Sequence, residues 1–178
     1  MANPEFTMQY QICNYIRAQY PRVMFRSDLI ALAKLPIQTA SMMKKLQRCR
    51  GWMDLTIYEP RYRWNGLLME LKTDTQVIFD KAGKNIKKRE LLHTLEQNAN
   101  IQMMTVRGFI GTFFFGYENT RDVIDIYMSG SKEQIKEGLN NKLFDNLCTK
   151  AVIDNPSILL DESLDPFIAR YYHDRLGL

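Results

Sequence analysis

The residues of this chain best suited to do chemistry are Asp54 and, further on, the Glu-x-Lys triplet of Glu70 and Lys72. Asp54 lies in Trp52-Met53-Asp54-Leu55-Thr56-Ile57-Tyr58, and Glu70 and Lys72 close Gly66-Leu67-Leu68-Met69-Glu70-Leu71-Lys72. The connection from Glu59 to Asn65 carries a Pro and an Asn just before Gly66, so the whole reads as a hairpin. If Tyr58 faces Gly66, antiparallel pairing sets Asp54 opposite Glu70, Leu55 opposite Met69 and Ile57 opposite Leu67. Side chains alternate along a strand. One face then carries Met53, Leu55, Ile57, Leu67, Met69 and Leu71, and the other Asp54, Thr56, Leu68, Glu70 and Lys72. Carboxylates directly opposite each other sit about 5 Å apart and repel, so a positive group belongs between them. A hard divalent cation takes oxygen ligands from one or two carboxylates and completes its shell with water and phosphate. Lys72, on the same face, would point at that water or phosphate. The same pattern also fits an amphipathic hairpin whose charged face is solvated, and spacing alone does not separate the two.

Charge narrows the choice of partner. From Lys34 to Arg89 the chain holds thirteen Lys and Arg against five Asp and Glu, or +8, and the remainder holds eleven against fifteen, or −4. Positive charge gathered beside a metal-site candidate is the footprint of a polyanion binder. It falls at Lys44, Lys45, Arg48 and Arg50 before the hairpin, at Arg61 and Arg63 in its turn, and at Lys81, Lys84, Lys87 and Lys88 after it. These ten are the candidate nucleic-acid contacts, with DNA as the expected partner. A surface that merely aids solubility is the alternative.

The elements around the hairpin follow from periodicity. Phe6 to Gln19 shows apolar residues at Met8, Ile12, Tyr15 and Ile16, which predicts a helix ended by Pro21. Glu5 and Gln9 share one face of it. Arg22 to Arg26 reads as a short strand, Ser27 to Ala33 as a short helix, and Thr39 to Arg48 as another with Lys44, Lys45 and Arg48 outward. After Lys72 a loop or small hairpin is expected to stand over the site. Lys87 to Met104 is helical, with Leu91, Leu92, Leu95, Ala99 and Met103 as its buried stripe and Gln97 outside it, free to face the site. Phe109 to Tyr117 reads as a buried strand of a mixed or parallel sheet, followed by a helix capped by Asn119 or Thr120 and running through Met128. Ile135, Leu139, Leu143 and Leu147 predict one helix over Lys132–Lys150, and Asp165–Leu176 a last one.

Two segments of this pattern carry a resemblance. Gly51-Trp52-Met53-Asp54-Leu55 and Leu68-Met69-Glu70-Leu71-Lys72 resemble the metal-binding core of the PD-(D/E)xK nucleases, and most of all their VRR-NUC branch, known from phage proteins and the Fanconi-associated nuclease. Glu5 to Gln9 resembles the start of that family's first helix, and His93-Thr94-Leu95-Glu96-Gln97 the helix after its catalytic hairpin. The likeness spans about Glu5 to Tyr127. It departs where the family commonly has Pro before the catalytic Asp, which is Met53 here.

The resemblance implies a restriction-endonuclease-like α/β core, a mixed β-sheet flanked by helices, over residues 1–130, with 131–178 as a helical C-terminal extension. It implies a Mg²⁺- or Mn²⁺-dependent DNA endonuclease. Asp54, Glu70 and the Leu71 carbonyl would bind the metal, Lys72 would act on the nucleophile or transition state, and Glu5 and Gln97 would assist. The implied substrate is branched DNA such as a flap or Holliday junction, and a two-fold junction would ask for a homodimer. The competing reading is a non-catalytic nucleic-acid-binding module with a vestigial site. Replacing Asp54 or Lys72 by Ala is expected to abolish cleavage and leave the protein folded.

Composition removes other classes. No run approaches ~20 uninterrupted apolar residues, so no membrane span is expected. The N-terminus lacks the basic and apolar regions of a secretory signal. Cys13, Cys49 and Cys148 are scattered and odd in number, which suits a reducing compartment; the resemblance implies the cytoplasm of a bacterium or of a phage-infected host. No phosphate-cradling Gly-rich loop is present.

Overall fold

A computed structural model of the chain describes residues 4–28, 51–80, 82 and 84–178. The helix expected to reach Ala33, the helix expected over Thr39–Arg48, and the side chains of Lys44, Lys45, Arg48, Arg50 and Lys81 lie outside the described residues. Within them the chain forms a four-stranded sheet of β1 (Phe25–Ser27), β2 (Leu55–Ile57), β3 (Gly66–Lys72) and β4 (Phe109–Phe115), in that spatial order. The first two pairings are antiparallel and β3–β4 is parallel. The sheet is therefore mixed, with helices on both faces, and the α/β expectation holds.

The hairpin register is the one derived from the sequence: Leu55 pairs with Met69, Thr56 with Leu68 and Ile57 with Leu67. One face of the sheet packs against α1 (Pro4–Gln19) and α3 (Tyr117–Ser129). There Leu55, Ile57, Leu67, Met69 and Leu71 join Met8, Ile12 and Ile16 of α1 and Val123, Ile124 and Tyr127 of α3. The other face is covered by α2 (Lys88–Thr105), which supplies Ile101 beside Leu68 and Phe113. Because both faces are covered, the charged face of the hairpin is buried rather than solvated.

Met53 departs from the expected alternation. It belongs with Leu68, Ile101 and Phe113, on the face opposite Leu55. The chain bends at Asp54 and β2 begins only at Leu55, so the strict two-residue period does not extend back to Met53.

The centre of α2 is buried all round, from Thr94 to Ile101. Its far side is closed by α5 (Lys142–Asp154) and α6 (Pro166–Leu176), whose Cys148, Val152, Ile168 and Tyr172 pack on Leu95 and Ala99. Of the expected stripe, Leu95 and Ala99 are deep, whereas Leu91, Leu92 and Met103 are only partly covered. Asn98, one of the polar residues this enclosure traps, is satisfied, as buried polar groups usually are. Asn98 donates to Asp145 at 3.2 Å and to the Tyr172 hydroxyl at 3.1 Å, and its own oxygen accepts from Asn141 at 2.9 Å.

Boundaries differ from the sequence reading in three places, the first being β1, which runs over Phe25–Ser27 rather than Arg22 to Arg26 and so takes Ser27 from the expected helix. The single helix expected over Lys132–Lys150 is two, α4 (Lys132–Gly138) and α5, because Asn141 between them turns inward to Asn98 and accepts from Thr112 at 3.1 Å. The break rotates the pattern: Leu143 is 61% exposed and Phe144 takes the buried place. At α3 the helix starts at Tyr117, after Gly116 at φ 74°, and Thr120 donates back to the Gly116 carbonyl at 2.6 Å instead of capping. The last helix begins as expected, with the Asp165 carboxylate accepting the Phe167 N–H at 2.9 Å. No helix among the described residues is long and apolar enough to cross a membrane.

Candidate active site

The carboxyl terminus of β3 brings the chemistry together. By the hairpin's register the ladder place opposite Leu71 belongs to Met53, but the chain has already turned away. The Asp54 side chain fills that place instead: its Oδ2 accepts the Leu71 N–H at 2.8 Å. This cap fixes the aspartate against β3 even though Asp54 lies outside β2. Asp54 and Glu70 approach closely enough to share a hydrogen bond when one of them is protonated.

Two elements hold the Asp54 backbone. Gln9 of α1 donates from Nε2 to the Asp54 carbonyl at 2.7 Å, to the Asp28 carbonyl at 3.2 Å and to Ser27 Oγ at 2.8 Å. Gly51, at φ 72°, comes so close to α2 that a Cβ there would lie 2.7 Å from Glu96 Cβ and 2.9 Å from the Gln97 nitrogen. Only glycine accepts both that conformation and that approach. Asn100 donates to the Gly51 carbonyl at 3.0 Å. Neither Gln9 nor Asn100 was marked by the sequence as a site residue; the helical spacing of Gln9 from Glu5 was the available signal.

Glu70 is 1% exposed and Lys72 7%. Lys72 Nζ donates to Glu70 Oε1 at 2.7 Å, and Gln97 Nε2 donates to the same oxygen. Glu70 Oε2 is buried with no partner, and so is Gln97 Oε1. Gln97 thus reaches the site, as expected, but from within the core. Burial, joined by the Asp54 charge, pushes the Glu70 carboxyl well above its ordinary value of 4.5. Burial also raises Asp54, against the Leu71 N–H and the Lys72 charge. For Lys72 burial works downward, but Glu70, then Asp54 and Glu5, outweigh it, and its pKa stands above the ordinary value. Glu5 of α1 is therefore near enough to act on this lysine, and Lys72 is a fixed cation rather than a base.

The other predicted residues divide by position. Arg61 and Arg63 lie in the hairpin turn, where Arg61 bridges to Trp64. Only Gly66 to Glu70 of the intervening chain is strand, about 13 Å at ~3.3 Å per residue, and the turn lies beyond its far end. Lys84, Lys87 and Lys88 lead into α2 through a small hairpin closed at Phe79 and Ile86. That hairpin follows β3, where the sequence had placed a loop or small hairpin.

The donor set suits a hard divalent cation. Two carboxylates meet, one of their buried oxygens lacks any partner, and such ions prefer oxygen ligands. Among the described residues no group of three or more His, Cys, Asp or Glu side chains could hold a metal ion. Any further ligands would have to be backbone carbonyl, water or phosphate, which is how Mg²⁺ is usually held.

The raised carboxyls have a pH consequence. A carboxyl whose pKa is raised by folding binds its proton more tightly folded than unfolded, so it favours the fold below its unfolded value and loses that contribution as pH rises through the folded one. The raised Lys72 works over a different window, stabilising below its ordinary 10.5 and failing only above it. Near neutrality the carboxyl pair is therefore the strained element, and a cation relieves it. Adding Mg²⁺ is expected to raise the melting temperature more at about pH 8 than at about pH 5. A cation shift that stays constant or shrinks with rising pH would contradict this.

No family model matches the sequence. No curated protein matches it either. Among solved structures, one described as "VRR_NUC domain protein" is similar over 72% of this chain and 90% of its own, at 20% identity and a TM-score of 0.49. At that level no residue role passes from one protein to the other.

Proposed function

We propose that this chain is a divalent-metal-dependent DNA endonuclease that hydrolyses phosphodiester bonds at the carboxyl end of β3. The observation that carries this reading is half-buried Asp54 paired with buried Glu70, whose Oε2 is unpartnered, held beside a fixed lysine cation. Structural ion pairs are normally satisfied; a pair of carboxyls driven up in pKa with an oxygen left over is the mark of a functional site. The resemblance to the VRR-NUC nucleases at the same residues agrees with it.

In this reading Asp54 and Glu70 hold Mg²⁺ or Mn²⁺, with the Leu71 carbonyl as a third ligand. The Leu71 N–H points at Asp54, and the N–H and C=O of one strand residue face the same edge. When bound, the ion supplies Lewis-acid polarisation of the phosphate and acidifies water. The chain itself contributes charge and position. Lys72, cationic at neutral pH, offers its ammonium to the charge that develops on the phosphate, in a site too dry to screen it. Gln97 and Lys72 together fix the Glu70 carboxylate, and Glu70, then Asp54 and Glu5, keep the lysine charged. Burial of the group shields the reacting atoms from bulk water.

DNA would be reached through the basic residues on either side of the site. Replacing Arg61 and Arg63 together by Ala is expected to weaken binding to all DNA alike, and to lower the slope of log affinity against log salt by about one for each phosphate no longer neutralised. An unchanged salt slope would remove the hairpin turn from the interface. We further propose that the substrate is branched DNA, with a homodimer needed if it is a four-way junction.

The test is a cleavage panel in Mg²⁺ with duplex, single strand, flap and four-way junction, the Asp54→Asn chain serving as control. Hydrolysis by the wild type and none by the control is the expected result. DNA binding that ignores Mg²⁺, with no hydrolysis of any substrate, would make the chain a binding module instead.

A further inference from the structure

The buried Gln97 amide has a second neighbour besides Glu70. Its Nε2 lies 2.9 Å from Nε2 of His93, one helical turn earlier on α2. The same amide nitrogen donates to Glu70 Oε1, which also receives Lys72. Two donors therefore hold Oε1, while Oε2 stays free. Which oxygen Glu70 can offer depends on what holds the other.

Charge fixes the direction of each hydrogen bond along this line. An ionised Glu70 can only accept, so the Gln97 atom facing it is the amide nitrogen. An amide nitrogen carries two hydrogens. One goes to Glu70, and the other meets His93 Nε2, which must then be the bare, accepting nitrogen. A neutral imidazole keeps its proton on Nδ1, and Nδ1 lies 3.8 Å from Glu96 Oε2, a carboxylate that favours this tautomer. The terminal torsion of a glutamine is broad. Without an acceptor on its far side, one amide hydrogen is left unpaired and the amide is held less firmly on Glu70 Oε1.

We infer that His93 is a positioning residue of this site: by accepting the second amide hydrogen of Gln97 it locks Gln97 onto Glu70 Oε1 and leaves Glu70 Oε2 as the oxygen offered to a divalent cation. The inference rests on the nuclease reading for the role of Glu70. The His93 side chain is 54% exposed, so exchanging it disturbs no core.

Two variants separate the acceptor from the ring. His93→Leu has no acceptor, and His93→Gln restores a carbonyl acceptor on a side chain of similar reach. Two readouts avoid cleavage altogether: Mn²⁺ affinity by calorimetry, and the ¹⁵N spectrum of the Gln97 side-chain amide in the metal-free protein. His93→Leu is expected to weaken Mn²⁺ binding about tenfold, the scale seen when a residue supporting a metal ligand is removed. It should also shift the Gln97 amide resonances and speed exchange of its hydrogens with water. His93→Gln is expected to recover most of both.

Mn²⁺ binding by the wild type with no change in His93→Leu overturns this inference alone. So does an equal loss in both variants, which would leave the acceptor without a role. A wild-type chain that binds no Mn²⁺ overturns the nuclease reading and this inference together, whatever the amide spectrum shows.

Discussion

Asp54→Asn is expected to abolish cleavage while making the metal-free protein more stable. The asparagine keeps the shape, and its oxygen can still accept the Leu71 N–H that Asp54 Oδ2 takes at 2.8 Å. Its new amide hydrogens face Glu70, so a repulsion becomes a hydrogen bond. Both carboxyls are raised in the native chain, so ionising them works against the fold near neutral pH. Removing one relieves that opposition, and the melting temperature should rise by about 2–4 °C for each kcal/mol recovered. The gain should vanish in acid, where both carboxyls are already protonated. Cleavage should fall by about a thousandfold or more, the scale on which one preorganised electrostatic contact acts in a water-poor site. Calorimetric melting in chelator, beside cleavage in Mg²⁺, reads both effects. A less stable variant at neutral pH would show that the pair is not strained, and retained cleavage would dismiss Asp54 from the site.

Lys72→Met should lose activity and stability together. The methionine keeps much of the length of Lys72 but not its cation, leaving Glu70 and Asp54 buried beside each other with only neutral donors. Breaking a buried pair by removing one partner costs about 3–5 kcal/mol, or of the order of 10 °C in melting temperature for a chain of this size. The penalty should shrink as pH falls, because Glu70 is already inclined to take a proton. This revises the expectation, drawn from the sequence, that a lysine-deleted chain folds as before. That expectation rested on the hairpin pairing, which says nothing of burial, whereas Lys72 is 7% exposed. A variant that melts with the wild type across the pH range would place the lysine in solvent after all.

The hairpin was legible because both of its signals are local. Alternating apolar residues and a Pro-Asn-Gly connection specify pairing and register without reference to the rest of the chain. The helix ending at Gln19 before Pro21 and the one beginning at Pro166 after its Asp165 cap were legible for the same reason. What failed had tertiary causes. Met53 followed the strand period on paper, yet the chain bends at Asp54. The spacing Ile135, Leu139, Leu143, Leu147 was broken by Asn141 turning to Asn98, a partner far away in sequence.

The sequence by itself determined which residues could meet: the register that pairs Leu55 with Met69 brings the Asp54 and Glu70 segments side by side in any fold that keeps the hairpin. It could not determine their surroundings. Helix α2, closed from behind by α5 and α6, buries the charged face, delivers Gln97 to Glu70, and turns an ordinary acidic pair into one with raised pKa values. Register is a short-range property of two strands. Desolvation depends on what the whole chain packs over them, and no local pattern encodes that.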